Sequence, residues 1–241
     1  MALITHSIIY EDAHLLVVDK KPGIPVIPDR QGNASLKQKL ERIYDTIFTV
    51  HRIDRDTSGL VLFAKHPEAH RLLSMQFESH TVKKKYLAIV QGSLSDSLLE
   101  IDAPIGKHPR KANVMIIDPK GKTAHSICVR KEIFKHASLA EIEILTGRTH
   151  QVRVHMHYAG YTLLVDPVYS NKPAFFLSEI KHNYKMKAEE SPLIQRLTLH
   201  AAYLEFLHPA LETVVTFTSE LPGDMELVLK MLRKYDNINP V

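Results

Sequence analysis

The 241-residue chain holds one cysteine, Cys128, so no disulfide can form within it. That scarcity suits a reducing compartment, and a cytoplasmic location is expected. Cys128 lies in the apolar run Ser126-Ile127-Cys128-Val129, which reads as strand, so a small buried thiol is expected there rather than a nucleophile. With no cysteine cluster, a structural zinc site lacks its usual ligands. His155 and His157 stand two apart, which does not fit the His-Glu-x-x-His helix of zinc proteases, and no metal is expected. Glycine is sparse, at nine residues, and none falls in a Walker loop or a dinucleotide fingerprint, which argues against a nucleotide cofactor. Ser58 is not in a Gly-x-Ser-x-Gly elbow, so a serine hydrolase lacks support. No stretch approaches the roughly 20 apolar residues needed to span a membrane. Met1 to Tyr10 carries no basic segment or long apolar run, so a secretory leader is not expected. Neither sign of charge dominates. Lys and Arg number 31 against 27 Asp and Glu, a formal net charge of +4, which permits an anionic partner without demanding one.

What is present points to a packed protein. Hydrophobic residues make up 44% and charged residues 24%, enough to build a core. Ile8-Ile9-Tyr10, Leu15 to Val18, Leu60 to Ala64, Tyr86 to Val90 and Thr213 to Phe217 read as strands, and Ala140, Ile142 and Ile144 alternate with glutamates as in a half-buried strand. Pro67 suits the first turn of a helix whose Ala69, Leu72, Leu73 and Phe77 share one face. Thr149 is expected to cap a short helix ending at Gly160, and Asp224 to cap a last helix with Met225, Val228, Leu229 and Leu232 as its stripe. Asn171 to Gln195 is the least patterned stretch. Strands outnumber helices without alternating with them, so the expectation is an α+β fold around a largely antiparallel sheet. No linker divides the chain, and a single domain over 1–241 is expected.

Three polar segments carry candidate chemistry. His51-Arg52-Ile53-Asp54-Arg55-Asp56-Thr57-Ser58-Gly59 packs acids, arginines and a histidine just before an apolar strand. Such density is costly there unless the charges pair or work. Arginines beside an aspartate favour its anion, and an anionic carboxylate serves as nucleophile or base. A surface loop of solvated ion pairs explains this segment equally well. In Gly147-Arg148-Thr149-His150-Gln151-Val152-Arg153-Val154-His155, helical spacing would set His150 and Arg153 on one side near a helix start, where anions are favoured. Lys83-Lys84-Lys85-Tyr86 joins a basic run to an aromatic, and Lys107-His108-Pro109-Arg110-Lys111 is a second basic patch. Both suit phosphate and base contacts, but a solvated charge run is the commoner meaning.

In order and spacing, these segments resemble the RluA-type RNA pseudouridine synthases. The first matches the family's His-Arg-Leu-Asp-x-x-Thr-Ser-Gly motif with Ile53 for Leu; Lys85-Tyr86-Leu87-Ala88 resembles its tyrosine motif; and the Gly147–His155 segment resembles Gly-Arg-Thr-His-Gln-Ile-Arg-Val-His. Weaker echoes stand at Lys20-Lys21-Pro22-Gly23, Gly121-Lys122-Thr123-Ala124 and Leu199-His200-Ala201. The resemblance implies the pseudouridine synthase fold, an extended mixed and mostly antiparallel sheet with flanking helices and a central RNA-binding cleft. It implies isomerisation of uridine to pseudouridine in structured RNA, ribosomal or transfer, without cofactor or metal. Asp54 would be the catalytic aspartate, Tyr86 the ring that stacks on the target base, and Arg153 the cation that pairs with the aspartate. Arg52 would help displace the target nucleotide. His51, Arg55, Thr57, Lys85, Arg148, His150 and Gln151 would complete the RNA-binding side. Many relatives carry an S4-type RNA-binding domain ahead of this pattern, and none is expected here. After the third motif the family's Gly-Asp and Tyr-Gly pairs are replaced by Val165-Asp166 and Tyr169-Ser170. Nothing demands a dimer, so a monomer is expected. The rival readings are an RNA-binding protein of the same fold without catalysis, and a hydrolase using Asp54 and Asp56 as paired acids. The bracketing arginines oppose the second, because a glycosidase acid needs a raised pKa.

Overall fold

The computed structural model describes residues 6–29, 32–185 and 189–238. In chain order the elements are β1 (His6–Glu11), β2 (Leu15–Lys20), α1 (Leu36–Leu40), β3 (Phe48–Thr49), β4 (Ser58–Ala64), α2 (Pro67–Glu78) and β5 (Lys83–Gln91). Then come β6 (Leu98–Asp102), β7 (Ile105–Lys107), β8 (Met115–Ile117), β9 (His125–Ile133), β10 (Ala137–Ile144) and α3 (Gln151–Tyr158). The chain closes with β11 (Leu199–Leu207), β12 (Val214–Thr218) and α4 (Gly223–Tyr235). The expected α+β class and mainly antiparallel pairing are what the structure has. Two compact units divide it, one of residues 1–85 and 200–220, the other of 86–199 and 221–241.

In the first unit the strand order is β1-β2-β4-β11, with β3 also on β4 and β12 on β11. β2 and β4 pair antiparallel, Leu15 opposite Ala64 and Lys20 opposite Gly59. All seven residues of β4 are buried, which explains the unbroken apolar run from Leu60 to Ala64. β11 runs parallel to β4, His200 opposite Ser58 and Ala201 opposite Gly59. That approach requires glycine: Gly59 has φ +112°, and a Cβ there would lie 2.2 Å from the Ala201 carbonyl oxygen. α2 starts at Pro67 as expected, with the His66 ring accepting the Ala69 N–H, and it buries Ala69 and Leu73 in this unit's core.

The second unit has the order β5-β10-β9-β6 and a separate β7-β8 pair. Cys128 is fully buried on β9, as expected, and burial pushes its thiol up to about 12. α4 buries Met225, Val228, Leu229 and Leu232, each of which stabilises the fold by about 1.5–3 kcal/mol. Asp224 does not cap this helix. The cap position is Pro222, and Asp224 sits in the first turn, where Arg196 Nε donates to it at 2.7 Å. Nor does Thr149 cap α3. The cap residue is His150, at φ 56° in the left-handed region, because the chain turns sharply out of β10 before the helix begins. The stretch expected to be least ordered, Asn171 to Gln195, contributes Phe175, Ile180 and Ile194 to the core; 186–188 lie outside the described residues.

Candidate active site

In the first unit the Asp54 segment is a tight loop leading into β4. Its backbone turns through Thr57 N–H to Asp54 O at 3.2 Å, and Ile53 beneath it is buried. Lys20 holds this loop in place. It is a wholly buried lysine on β2 whose Nζ donates to the carbonyls of Arg55 (2.9 Å) and Lys21 (3.0 Å). The Gly23 N–H also reaches Arg55 O at 2.9 Å, and Arg55 Nε returns to Gly23 O at 3.1 Å. The Lys20-Lys21-Pro22-Gly23 echo is therefore the support of the Asp54 loop. Asp54 is half-buried, and Arg52, Arg55 and Asp56 are exposed.

Thr57 and Ser58, which follow, turn inward. Ser58 Oγ lies 3.0 Å from His200 Nδ1, and His200 Nε2 lies 3.3 Å from Ser219 O. That pattern makes Nε2 the protonated nitrogen and Ser58 the donor to Nδ1, and it explains the Leu199-His200-Ala201 echo. Thr57 is buried, and its Oγ1 finds no hydrogen-bond partner among the described residues. His51, expected on the RNA side, packs beneath the loop: its Nε2 accepts the Leu62 N–H at 3.0 Å and its ring stacks on Phe77, centroids 4.7 Å apart. Burial, aided by Lys84, pushes the His51 pKa down to about 3, so the ring is neutral. The basic run is not a solvated face either. Lys84 is buried with Nζ 5.5 Å from the Phe77 ring centroid, and Lys85 Nζ sits 5.5 Å from that of Tyr203.

In the second unit Tyr86 is half-buried against the core of β5, β9, β10 and α3. The third motif divides by direction. Gln151 faces inward and is saturated: its Oε1 accepts from Thr146 Oγ1 (2.7 Å) and Arg148 N (2.9 Å), while Nε2 donates to His125 O (2.9 Å) and Ser126 Oγ (3.0 Å). His155 is fully buried between Ser126 Oγ (2.9 Å) and Ala103 O (3.0 Å), and burial lowers its pKa. Gln151 therefore builds the turn rather than presenting itself to RNA. Arg148 is half-buried with Nε on Thr123 O at 2.8 Å, which ties in the Gly121-Lys122-Thr123-Ala124 echo. His150 Nδ1 lies 3.0 Å from the Tyr169 hydroxyl.

Arg153 is tightly held. Its side chain is 8% exposed, and Nε and Nη2 fork onto Asp166 at 2.8 and 2.9 Å, with Asp166 wholly buried. The same carboxylate accepts the N–H groups of Val168 (2.8 Å) and Tyr169 (3.2 Å). The guanidinium carbon stands 5.0 Å from the Tyr169 ring centroid. Ser170 Oγ closes the loop by donating to Asp166 O at 2.8 Å. Asp166 and Tyr169 hold Arg153 in place, and motif reading passed over both. Their signal was a lone acid and an aromatic at the edge of a segment noticed only for its departures.

Known proteins resemble this chain in sequence and in fold. A family model described as RNA pseudouridylate synthase matches residues 14–158. A Zymomonas mobilis protein named ribosomal large subunit pseudouridine synthase D is 40% identical over 239 residues, covering 94% of this chain and 72% of that protein. A Pseudomonas aeruginosa protein of the same name is 37% identical, covering 95% and 72%. Among solved structures, human RNA pseudouridylate synthase domain containing 1 superposes with a TM-score of 0.70 at 23% identity, over 97% of each chain. The fold is that of the pseudouridine synthases. The chain belongs to their RluA-type family, and is thus an RNA pseudouridine synthase, an isomerase.

Proposed function

We propose that the substrate is large-subunit ribosomal RNA and that Asp54 is the reacting carboxylate, with Tyr86 stacking on the target uracil and Arg153 as the catalytic cation. The observation that carries this reading is the support given to the Asp54 loop. A buried lysine, two backbone hydrogen bonds and a glycine-only contact between strands hold a half-buried carboxylate in one place, as a reacting group requires. The relatives named for the large ribosomal subunit favour ribosomal over transfer RNA.

The reaction breaks the bond from ribose C1′ to uracil N1 and forms one from C1′ to C5. The C5 proton leaves to solvent and N1 gains a proton, so atoms balance with no redox step. An anionic carboxylate has three routes into it: addition to the ring, attack at C1′, or removal of a ribose proton. A base inside a helix is out of reach of Asp54, so the target must be flipped out of its stack. Exposed Arg52 is the side chain to take its place. Stacking on Tyr86 contributes about 1–3 kcal/mol to holding the flipped base. The surroundings of His51, Thr57 and Gln151 give them to the scaffold, leaving Arg52, Arg55, Lys85, Arg148 and His150 as RNA contacts. The single cysteine suits a cytoplasmic setting, where we take the protein to act as a monomer without cofactor.

The test is tritium release from unmodified large-subunit rRNA and from tRNA, each labelled at uridine C5. Release from rRNA alone is the expected result. Release from tRNA alone would overturn the substrate assignment.

A further inference from the structure

A second feature of the Arg153 unit is not used by the reaction. A pocket of about 590 Å³ opens beside α3, between its outer face and the β7-β8 hairpin, within the range of ligand-binding clefts. Its walls are apolar, from Met115 and Ile116 on β8, Val154 on α3 and Val168 in the following loop. Two tyrosines add flat faces: Tyr169 and Tyr158, the second 62% exposed. The polar lining is basic or neutral, from His108, Lys111 and His157, with no carboxylate among the lining residues. His108 Nδ1 accepts the N–H groups of Arg110 (3.1 Å) and Lys111 (3.0 Å), so its proton sits on Nε2 as a donor. The hairpin from Lys107 to Ile117 carries Lys107, Arg110 and Lys111 and no acid, and Gly147 to Val165 carries none either.

Flat apolar walls and aromatic faces suit a nucleobase, and a cationic rim without carboxylates suits its phosphate. Tyr169 links the pocket to the site. It lines the pocket while Arg153 stands 5.0 Å from its ring centroid and His157 6.0 Å. Resting on the functional reading above, we propose that this pocket takes an unpaired nucleotide of the substrate RNA other than the target uridine, base against Tyr158 and phosphate toward Lys111. Seating that nucleotide against Tyr169 would couple capture of the correct loop to the wall beside Arg153.

Two measurements test this. Carbon-13 methyl NMR on the whole chain, titrated with adenosine 5′-monophosphate, should move the Met115 and Ile116 methyls saturably, while inorganic phosphate alone should not. No shift at those methyls at millimolar nucleotide overturns the pocket, whatever the isomerase assay shows. In tritium release from rRNA, Tyr158→Ala and Lys111→Ala should each raise KM about five- to tenfold with kcat unchanged. An unchanged KM in both overturns the role in substrate capture. Absence of release by the wild type would defeat the functional reading instead, and is read separately from the methyl shifts.

Discussion

Replacing Asp166 by asparagine tests how Arg153 is held. The wild-type carboxylate takes Arg153 Nη2, Val168 N–H and Tyr169 N–H on Oδ1 and Arg153 Nε on Oδ2. An asparagine that keeps its oxygen toward the first three donors must point its own N–H groups at Nε, donor against donor. The charge that balanced the guanidinium is also lost, in a place where Asp166 is 0% exposed and the Arg153 side chain 8%. Breaking a buried pair from one side costs about 3–5 kcal/mol, a large part of the 5–15 kcal/mol typical of a folded domain. At about 2–4 °C per kcal/mol for a chain of this size, Tm should fall by roughly 10 °C. Urea unfolding, followed by circular dichroism, should show a lower midpoint with an unchanged slope. In the fraction still folded, kcat for uridine isomerisation should drop at least about tenfold, the effect of losing 1.4 kcal/mol of transition-state stabilisation. A stability change under about 1 kcal/mol, with normal kcat, would refute the claim that Asp166 positions Arg153.

Three further outcomes are expected. Gly59→Ala places a methyl 2.2 Å from the Ala201 carbonyl oxygen, so β4 and β11 must part; the variant should be the least soluble of the set and should unfold at a markedly lower temperature by calorimetry. His51 is held neutral in the fold, with its pKa pushed down to about 3 from 6.5, so the unfolded chain takes up the proton first. Its stability contribution is complete above pH 6.5 and shrinks as pH falls toward 3, by at most about 1.4 kcal/mol per pH unit; His51→Gln should flatten the dependence of urea midpoints over that window. Cys128, buried and with its thiol raised to about 12, should react with a thiol reagent at the rate of unfolding rather than at the rate of a free thiol.

Periodicity made α2, α4 and most strands legible before any coordinates, because each buries one stripe or one face that the sequence spells out. Helix starts were less legible. Thr149 and Asp224 have the right chemistry for a cap, but backbone direction decides, and it put His150 and Pro222 there instead. The candidate site was legible as motifs and not as roles. Polar residues of equal chemical promise divide by the way they face: Gln151, His155, Ser58 and His51 turn into the scaffold, whereas Arg52 stays exposed. Spacing cannot show that division, since it depends on which backbone groups lie beneath each side chain. Asp166 and Lys20 were missed as positioning residues for the same reason. A buried charge is recognised by its partners, and those partners are the main chain of Arg55 for one and the fork of Arg153 for the other.

The most direct test of the account is Asp54→Asn, which keeps the size of the side chain and removes its charge. Tritium release from C5-labelled rRNA should fall to background while rRNA binding, measured by filter retention at fixed salt, stays within about twofold of wild type. Near-wild-type release from Asp54→Asn would contradict the assignment of the reacting carboxylate.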